Sequence, residues 1–165
     1  MISVIHVRPA NAAALIAVLA LLAAIAAVFY AFYMKGSTAI PLRDFPVGNI
    51  IIGNAQYEVF MANTTAEQMQ GLMNVSLSRL ESAGAIGMLF IFRGDSTQCF
   101  WMANTGIPLQ QAWISNDSIT YVYNATPLST ASVCYPGEYV LEIARGLAYA
   151  PVAVPGTRIS SNAAR

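Results

Sequence analysis

Charged side chains are scarce in this chain. Eight basic and eight acidic residues make up 10% of its 165 residues and give a net charge of zero. Soluble domains usually contain about 25% charged residues, so the polar groups of this surface have to be mainly amides and hydroxyls. A nucleic-acid-binding surface needs clustered Lys and Arg, but Lys35 is the only lysine. We therefore expect no nucleic-acid partner.

Histidine is almost absent as well. His6 is the only one, and it precedes a long apolar run. The remainder of the chain therefore cannot build a Ser-His-Asp or Cys-His catalytic site, or a zinc site that uses histidine. The sequence also contains no Cys-x-x-Cys, phosphate-binding P-loop or Gly-x-Gly-x-x-Gly motif. We expect no metal and no cofactor, and these absences favour a protein that is not an enzyme.

Residues 12–34 contain no charged side chain. As an α-helix this stretch would span roughly 34 Å at about 1.5 Å per residue, enough to cross a hydrocarbon core of about 30 Å. The pattern predicts an uncleaved signal anchor in the lipid bilayer, with residues 1–11 in the cytoplasm and the rest of the chain outside. The alternative is a cleaved secretory signal, with a small-residue cleavage site at Ala24-Ile25-Ala26.

A linker over 35–49, punctuated by glycine and proline, leads to a domain over 50–159, and 160–165 form a tail. Thr64 and Glu67 fit a capping box at the start of a short helix that ends near Leu72. Short apolar or alternating runs predict strands over 50–52, 56–61, 87–92, 98–102, 111–114, 119–123, 139–143 and 157–159. Residues 93–96 predict a polar turn, and residues 115–117 predict the turn of a hairpin between the strands over 111–114 and 119–123. We expect a mainly β domain, a compact barrel or sandwich with one or two short helices, after a single transmembrane helix.

The stretch over 100–109 joins bulky apolar side chains to an Asn-Thr-Gly turn and a proline. This pattern favours a buried strand that ends at a polar turn, and the alternative is the floor of a pocket. Met69, Leu72 and Met73 recur at helical spacing, which favours core packing over a metal-binding methionine cluster.

Phe100 to Leu109 resembles the Phe-Trp-Met-x-Asn-Thr-x-Ile-Pro-Leu signature of domain-of-unknown-function family 192. Four other segments match motifs of that family in the same order: Gln70 to Met73, Gly87 to Phe92, Tyr139 to Ile143 and Pro155 to Ile159. The resemblance covers roughly residues 50–159 and implies no reaction, because the family has no established activity. It marks these motif residues as candidate ligand contacts: Gly71, Met73, Phe100, Trp101, Met102, Asn104, Thr105 and Pro108.

Three positions depart from the family's motifs. Gln70 stands where Arg is common, Ala103 where Lys is common, and Gln110 where Asp is common. If the family uses that Arg and Asp as an ion pair or for acid–base chemistry, this protein has lost it. We favour the alternative, in which Gln70 and Gln110 replace a structural pair and still form hydrogen bonds. Either interpretation lowers the expectation of catalysis.

Cys99 and Cys134 are the only cysteines and predict one disulfide in an oxidising compartment. Two separate buried thiols are the alternative. Four Asn-x-Ser/Thr sequons predict a glycosylated, exported domain: Asn63, Asn74, Asn116 and Asn124. The alternative is that a surface rich in amides and hydroxyls produces sequons by composition alone. Both features favour an extracytoplasmic domain.

Three functions are compatible with these observations. The favoured one is a non-catalytic interaction or accessory module at the membrane, with a membrane or cell-surface protein as its partner. The second is a binding site for a small, glycan-like ligand around Trp101, Asn104 and Met73. The third is a hydrolase that uses carboxylates. Its candidates are Asp95, Asp117, Glu138 and Glu142, although Glu142 alternates with Val140 and is expected to point outward.

Overall fold

The computed structural model of this protein describes residues 9–35 and 39–161. The chain divides into two compact units, and the second begins at Ile40. Most of the predicted cytoplasmic segment 1–11 and most of the tail 160–165 lie outside the described residues.

The N-terminal unit contains one helix, α1, over Pro9–Lys35. Its alanine-rich sequence is typical of a helix, because alanine has the highest helix propensity. Among the residues that the structure describes, no helix combines the length and the apolar character that a membrane crossing requires. The transmembrane helix predicted over 12–34 is therefore not shown.

The second unit is a seven-stranded sheet in the order β5-β4-β6-β3-β2-β1-β7. All neighbouring strands are antiparallel except β2 and β3, which are parallel. The strands are β1 (Val47–Ile52), β2 (Ala55–Ala62), β3 (Ala85–Phe100), β4 (Leu109–Ser115), β5 (Ser118–Ala125), β6 (Val133–Ala144) and β7 (Ile159–Ser161).

The sheet curls into a half-barrel around an apolar cluster. Ile119 N–H donates to the carbonyl of Thr157, and Ile159 N–H donates to the carbonyl of Asp117, each over 2.9 Å. These hydrogen bonds join the start of β5 to the region of β7, although the two strands lie at opposite ends of the strand order. The inner cluster draws on every strand: Ile50, Ile52, Val59, Ile86, Leu89, Ala112, Ile114, Ile119, Leu141, Ile143, Ala153 and Ile159.

Two short helices connect β2 to its parallel neighbour β3: α2 over Thr65–Gln70 and α3 over Leu77–Ala83. The predicted capping box is confirmed, since Glu67 N–H donates to the Thr64 hydroxyl (3.3 Å) and Thr64 N–H donates to the Glu67 carboxylate (2.9 Å). With the loop after β3, these helices cover the other face of the sheet. Leu80, Met88, Met102, Trp113 and Val140 belong to the second apolar cluster there.

The prediction of a polar turn over 93–96 is wrong. β3 is one strand of 16 residues, and its pairing with β6 is interrupted between Ile91 and Ser96. Gly94 has a φ of +85° within this interruption. The turn residues therefore form an irregularity inside the strand rather than an end. The strand predicted over 98–102 also ends earlier, at Phe100, and Trp101 is 52% exposed.

The hairpin predicted around residues 115–117 is confirmed as β4 and β5. Asn116 and Asp117 have φ values of +50° and +56°. Asn and Asp tolerate this left-handed conformation better than other non-glycine residues, so the turn follows from its sequence. The prediction of a mainly β domain with few short helices is likewise confirmed.

The predicted disulfide between Cys99 and Cys134 is confirmed. The two residues are directly opposite each other on β3 and β6. The bridge therefore joins these strands beyond the irregularity in their pairing.

Replacing both Cys99 and Cys134 by serine should lower the free energy of unfolding by about 3–4 kcal/mol. The bridge closes a loop with a sequence separation of 35, and the chain-entropy model gives a value of this size for such a loop. Urea denaturation of the full-length chain would measure the loss, and chemical reduction of the wild type should reproduce it. An unchanged unfolding midpoint in both experiments would contradict a stabilising role.

Candidate functional site

A cavity of about 340 Å³ opens between α2 and the helix-covered face of the sheet. Phe90, Phe92 and Phe100 of β3 form its aromatic wall. The ring centroid of Phe100 lies 4.8 Å from that of Phe90 and 6.3 Å from that of Phe92, both edge to face. These rings hold one another in place through such contacts, so the wall is formed before any ligand arrives.

Two large apolar side chains of the cavity lining are exposed to solvent. Met69 of α2 is 73% exposed, and Trp101, which follows β3, is 52% exposed. Since they contact both the cavity and solvent, they mark its mouth. Met73 and Leu72 also line the cavity, and Leu72 is in addition buried in the second cluster. Of the three residues predicted to pack in the core, Met69, Leu72 and Met73, only Leu72 belongs to a buried cluster.

Glu142 of β6 also lines the cavity, and it is 4% exposed. Gln111 of β4 donates a hydrogen bond from its side-chain Nε2 to Glu142 Oε1 over 3.0 Å. Burial disfavours the charged carboxylate and raises the pKa of Glu142 to about 7, while the hydrogen bond from Gln111 acts in the opposite direction. Lys, Arg and His do not occur among the described residues that line the cavity.

The expectation that Glu142 points outward is wrong. Val140, Glu142 and Ala144 alternate along β6, and all three are buried on the helix-covered face of the sheet. The strand has no solvent face here, because Leu141 and Ile143 between them belong to the inner cluster. An acidic residue in a strand that is apolar on both faces was the available signal for a buried carboxyl group.

Two glycines allow the chain to pass close to Glu142. A side chain at Gly87 would lie 1.8 Å from the backbone oxygen of Glu142, so only glycine permits β3 to approach β6 at this point. Gly71 has a φ of +50°, and a Cβ there would be 3.0 Å from Phe90 and 4.0 Å from Glu142 Oε2. The second carboxylate oxygen therefore faces the space that Gly71 leaves open.

Gln68 and Gln70 anchor α2 beside the cavity. Gln68 Nε2 donates to the carbonyl of Ile91 over 2.6 Å. Gln70 accepts from the backbone N–H of Ile40 and donates to the carbonyl of the same residue. Both hydrogen bonds of Gln70 are used to fix the chain that enters the domain.

Gln110, the other amide at a position that departs from the family, lies elsewhere. It accepts a hydrogen bond from Ala153 N–H (2.6 Å) and donates to Asn124 (3.3 Å). Gln70 and Gln110 therefore both form hydrogen bonds, as expected, but with separate partners rather than with each other.

The structure brings five of the eight motif residues to the cavity: Gly71, Met73, Phe100, Trp101 and Thr105. Met102 is buried beside them, with its sulfur 3.8 Å from Gln111 Nε2. Asn104 is exposed with a φ of +57°, and its carbonyl accepts from Asn74 N–H, so it forms a turn. Pro108 is exposed, and its carbonyl accepts from Arg145 N–H.

The other candidate carboxylates lie near the β4–β5 hairpin rather than in the cavity lining. Asp95 accepts a hydrogen bond from the Ser115 hydroxyl (3.2 Å), and Glu138 accepts from Asn116 N–H (3.3 Å). Asp117 is in the turn of the hairpin. Within the described ranges, no three His, Cys, Asp or Glu side chains are grouped as metal ligands.

The raised pKa of Glu142 predicts a characteristic dependence of stability on pH. Below about pH 4.5 the carboxyl is protonated in both the folded and the unfolded chain. As pH rises toward 7 the unfolded chain releases its proton first, so the free energy of unfolding falls and then stays low above pH 7. For a shift from 4.5 to about 7 the loss is about 3 kcal/mol.

Urea denaturation of the full-length chain at pH 4.5 and pH 8 tests this dependence. The wild type should lose about 3 kcal/mol more than Glu142→Gln, because the amide cannot ionise. Glu58→Gln makes the same change at an exposed position of β2 and should follow the wild type. Parallel behaviour of the wild type and Glu142→Gln would contradict the assignment.

Comparisons with known proteins agree with this architecture. A protein of unknown function from Novosphingobium aromaticivorans DSM 12444 has a crystal structure with a TM-score of 0.59 and 26% identity, covering 74% of this chain and 91% of its own. A "putative transcription regulator" from Sinorhizobium meliloti 1021 has a TM-score of 0.58 and 27% identity, covering 71% of this chain and 95% of its own.

The comparison with curated proteins finds no match. The profile of family DUF192, described as "Uncharacterized ACR", matches residues 49–161. This match covers more than half of the chain and all seven strands except the first two residues of β1. The protein therefore belongs to domain-of-unknown-function family 192.

Proposed function

We propose that the domain binds a small, mainly apolar molecule in the cavity and holds a polar group of that molecule at Glu142. The observation that supports this proposal most is the buried carboxyl group of Glu142 in the lining of an aromatic cavity. One of its oxygens accepts from Gln111, and the other faces the space beside Gly71. A ligand group at that place would complete its hydrogen bonding.

The energetics of burial support a binding role. A carboxyl group in an apolar environment destabilises the fold unless it is fully hydrogen-bonded. Leu or Met at position 142 would avoid that cost, so a purely structural role explains this residue poorly. Ligand sites typically combine mostly apolar walls with a few polar groups, in volumes of about 300–1,000 Å³, and this cavity falls within that range.

The composition of the lining favours binding over catalysis. Hydrolysis of a glycosidic bond requires two carboxyl groups about 5–9 Å apart, but Glu142 is the only carboxylate that lines the described cavity. The other candidates, Asp95 and Glu138, hydrogen-bond near the β4–β5 hairpin. The hydrolase hypothesis is therefore less well supported than binding.

A glycan is a poor match to this cavity. Trp101 at the mouth could stack on a sugar ring, but Asn104, the expected hydroxyl partner, is in an exposed turn. The wall of three phenylalanine rings favours an apolar tail instead. We therefore propose a small amphipathic ligand rather than a glycan.

We also propose that the domain functions outside the cytoplasm. The disulfide between Cys99 and Cys134 supports this location, since such bonds persist mainly in oxidising compartments. The asparagines of all four sequons are exposed: Asn63, Asn74, Asn116 and Asn124. Glycosylation, membrane anchoring and a protein partner for an accessory role remain predictions from the sequence.

Methyl NMR of the full-length chain with labelled methionines tests ligand binding. Met69 and Met73 line the cavity, so a molecule that enters it should shift both of their signals. Met61 of β2 is an internal control, because its side chain packs against Gly48. We expect a library of small amphipathic molecules at millimolar concentration to include several that move the first two signals and leave the third in place.

The proposal of a binding cavity fails if no member of the library moves the Met69 and Met73 signals. It also fails if every active molecule shifts the Met61 signal equally, because that pattern would indicate a general change in the fold. Met73→Trp should abolish the shift of Met69, since the larger side chain occupies the cavity.

A further inference from the structure

We propose that the polar group held at Glu142 is an alkylammonium ion, so that the ligands of this cavity are small amines with an apolar tail. This inference rests on the proposed function, because it specifies the class of molecule that the cavity accepts. It is based on the charge, the hydrogen-bonding groups and the aromatic rings of the lining.

The charge of the lining is one-sided. Glu142 is the only ionisable side chain among the described lining residues, apart from Cys99, which is in the disulfide. Without Lys, Arg or His, a ligand has to supply the positive charge that pairs with an ionised Glu142. A ligand carboxylate or phosphate would instead meet a like charge in a low-dielectric space, which is strongly unfavourable.

The neutral polar groups of the lining also present acceptors. Gln68 donates one N–H to the carbonyl of Ile91 (2.6 Å), and Gln98 donates one N–H to the Ser96 hydroxyl (2.8 Å). No donor in the described part of the chain reaches the side-chain carbonyl oxygen of either glutamine. The Thr105 hydroxyl donates to the carbonyl of Ala103 (3.4 Å) and keeps its lone pairs. Each glutamine also keeps a second N–H, so the lining offers both kinds of group. An ammonium group, which has three donors and no acceptor, would bind to the oxygen atoms of this set.

The aromatic wall favours a cation as well. Phe90, Phe92, Phe100 and Trp101 all line the cavity, and the faces of aromatic rings attract cations, with Trp the strongest. The same rings provide apolar area for an alkyl tail. A neutral alcohol would gain from the tail contacts but not from the charge pair or the cation–π attraction.

The environment of Glu142 makes binding depend on pH. Among the described residues, the neighbours of Glu142 are uncharged and do not titrate: Met88 opposite it on β3, Gln111 opposite it on β4, and Phe90, Gly71 and Thr105 of the cavity lining. The pKa of about 7 therefore belongs to Glu142 alone. An ammonium ion binds the carboxylate, so affinity should level off above pH 7 and fall with each pH unit below it.

The experiment compares n-butylamine, 1-butanol and butyrate, which share an alkyl chain and differ in the polar group. Methionine-methyl NMR on the full-length chain gives the affinity of each at pH 8 and pH 6. For the wild type we expect n-butylamine to bind at least about tenfold more tightly than the other two at pH 8, and to lose about tenfold at pH 6.

Two variants identify the group responsible. Glu142→Gln should reduce the affinity for n-butylamine by about 10–100-fold and remove its pH dependence, while 1-butanol still binds. Glu58→Gln should behave as the wild type. The same ammonium group occurs on lysine. The affinity of Nα-acetyl-lysine amide, whose side-chain ammonium group is free, is therefore measured as well. Binding of this larger molecule would indicate a partner's lysine side chain, and its exclusion would indicate a free amine.

The results separate this inference from the proposed function. If 1-butanol binds as tightly as n-butylamine at pH 8, the amine assignment is overturned and the binding cavity stands. The same holds if amphipathic molecules without an amine shift the Met69 and Met73 signals while n-butylamine does not. If no molecule of any class shifts them, both proposals are overturned.

Discussion

The candidate site of this domain depends on one buried carboxyl group, that of Glu142. Glu142 lies between apolar clusters on both faces of β6, and Gln111 is its hydrogen-bonding partner. Gly87 lets β3 pass the backbone oxygen of Glu142, which a Cβ would approach to 1.8 Å, and Gly71 leaves space open beside Glu142 Oε2. A group that destabilises the fold when ionised is most readily explained by what it binds.

The two faces of the sheet around Glu142 differ in structure: one encloses the inner cluster, and the other contains the cavity. The inner cluster closes the half-barrel and draws on all seven strands, so it supplies stability. The helix-covered face carries a larger apolar cluster and, beside it, a cavity of about 340 Å³ next to α2, whose Gln68 hydrogen-bonds to Ile91 of β3. Separating a closed core from an open face allows a rigid wall and an accessible site in the same small domain.

Much of the fold follows from local sequence. The Thr64–Glu67 capping box, the Asn116-Asp117 turn and the disulfide were all predictable, because each depends on residues whose chemistry is specific. The break predicted at 93–96 failed because long-range pairing with β6 on both sides holds those turn residues within β3. Membership of DUF192 was also visible in the motifs, yet the half-barrel itself depends on contacts between distant strands that no local pattern specifies.

The candidate site was predicted in part. Five motif residues line the cavity. Glu142 was a candidate carboxylate, but simple alternation predicted a solvent-facing side chain where a second buried layer exists, and Gln111 was not identified as its partner. Carbon-detected NMR titration of the glutamate carboxyl groups in the full-length chain tests the central claim most directly, with Glu142→Gln identifying the signal. We expect a midpoint near pH 7 for Glu142. A midpoint near 4.5 would show that the carboxyl group is solvated and would contradict this account of the site.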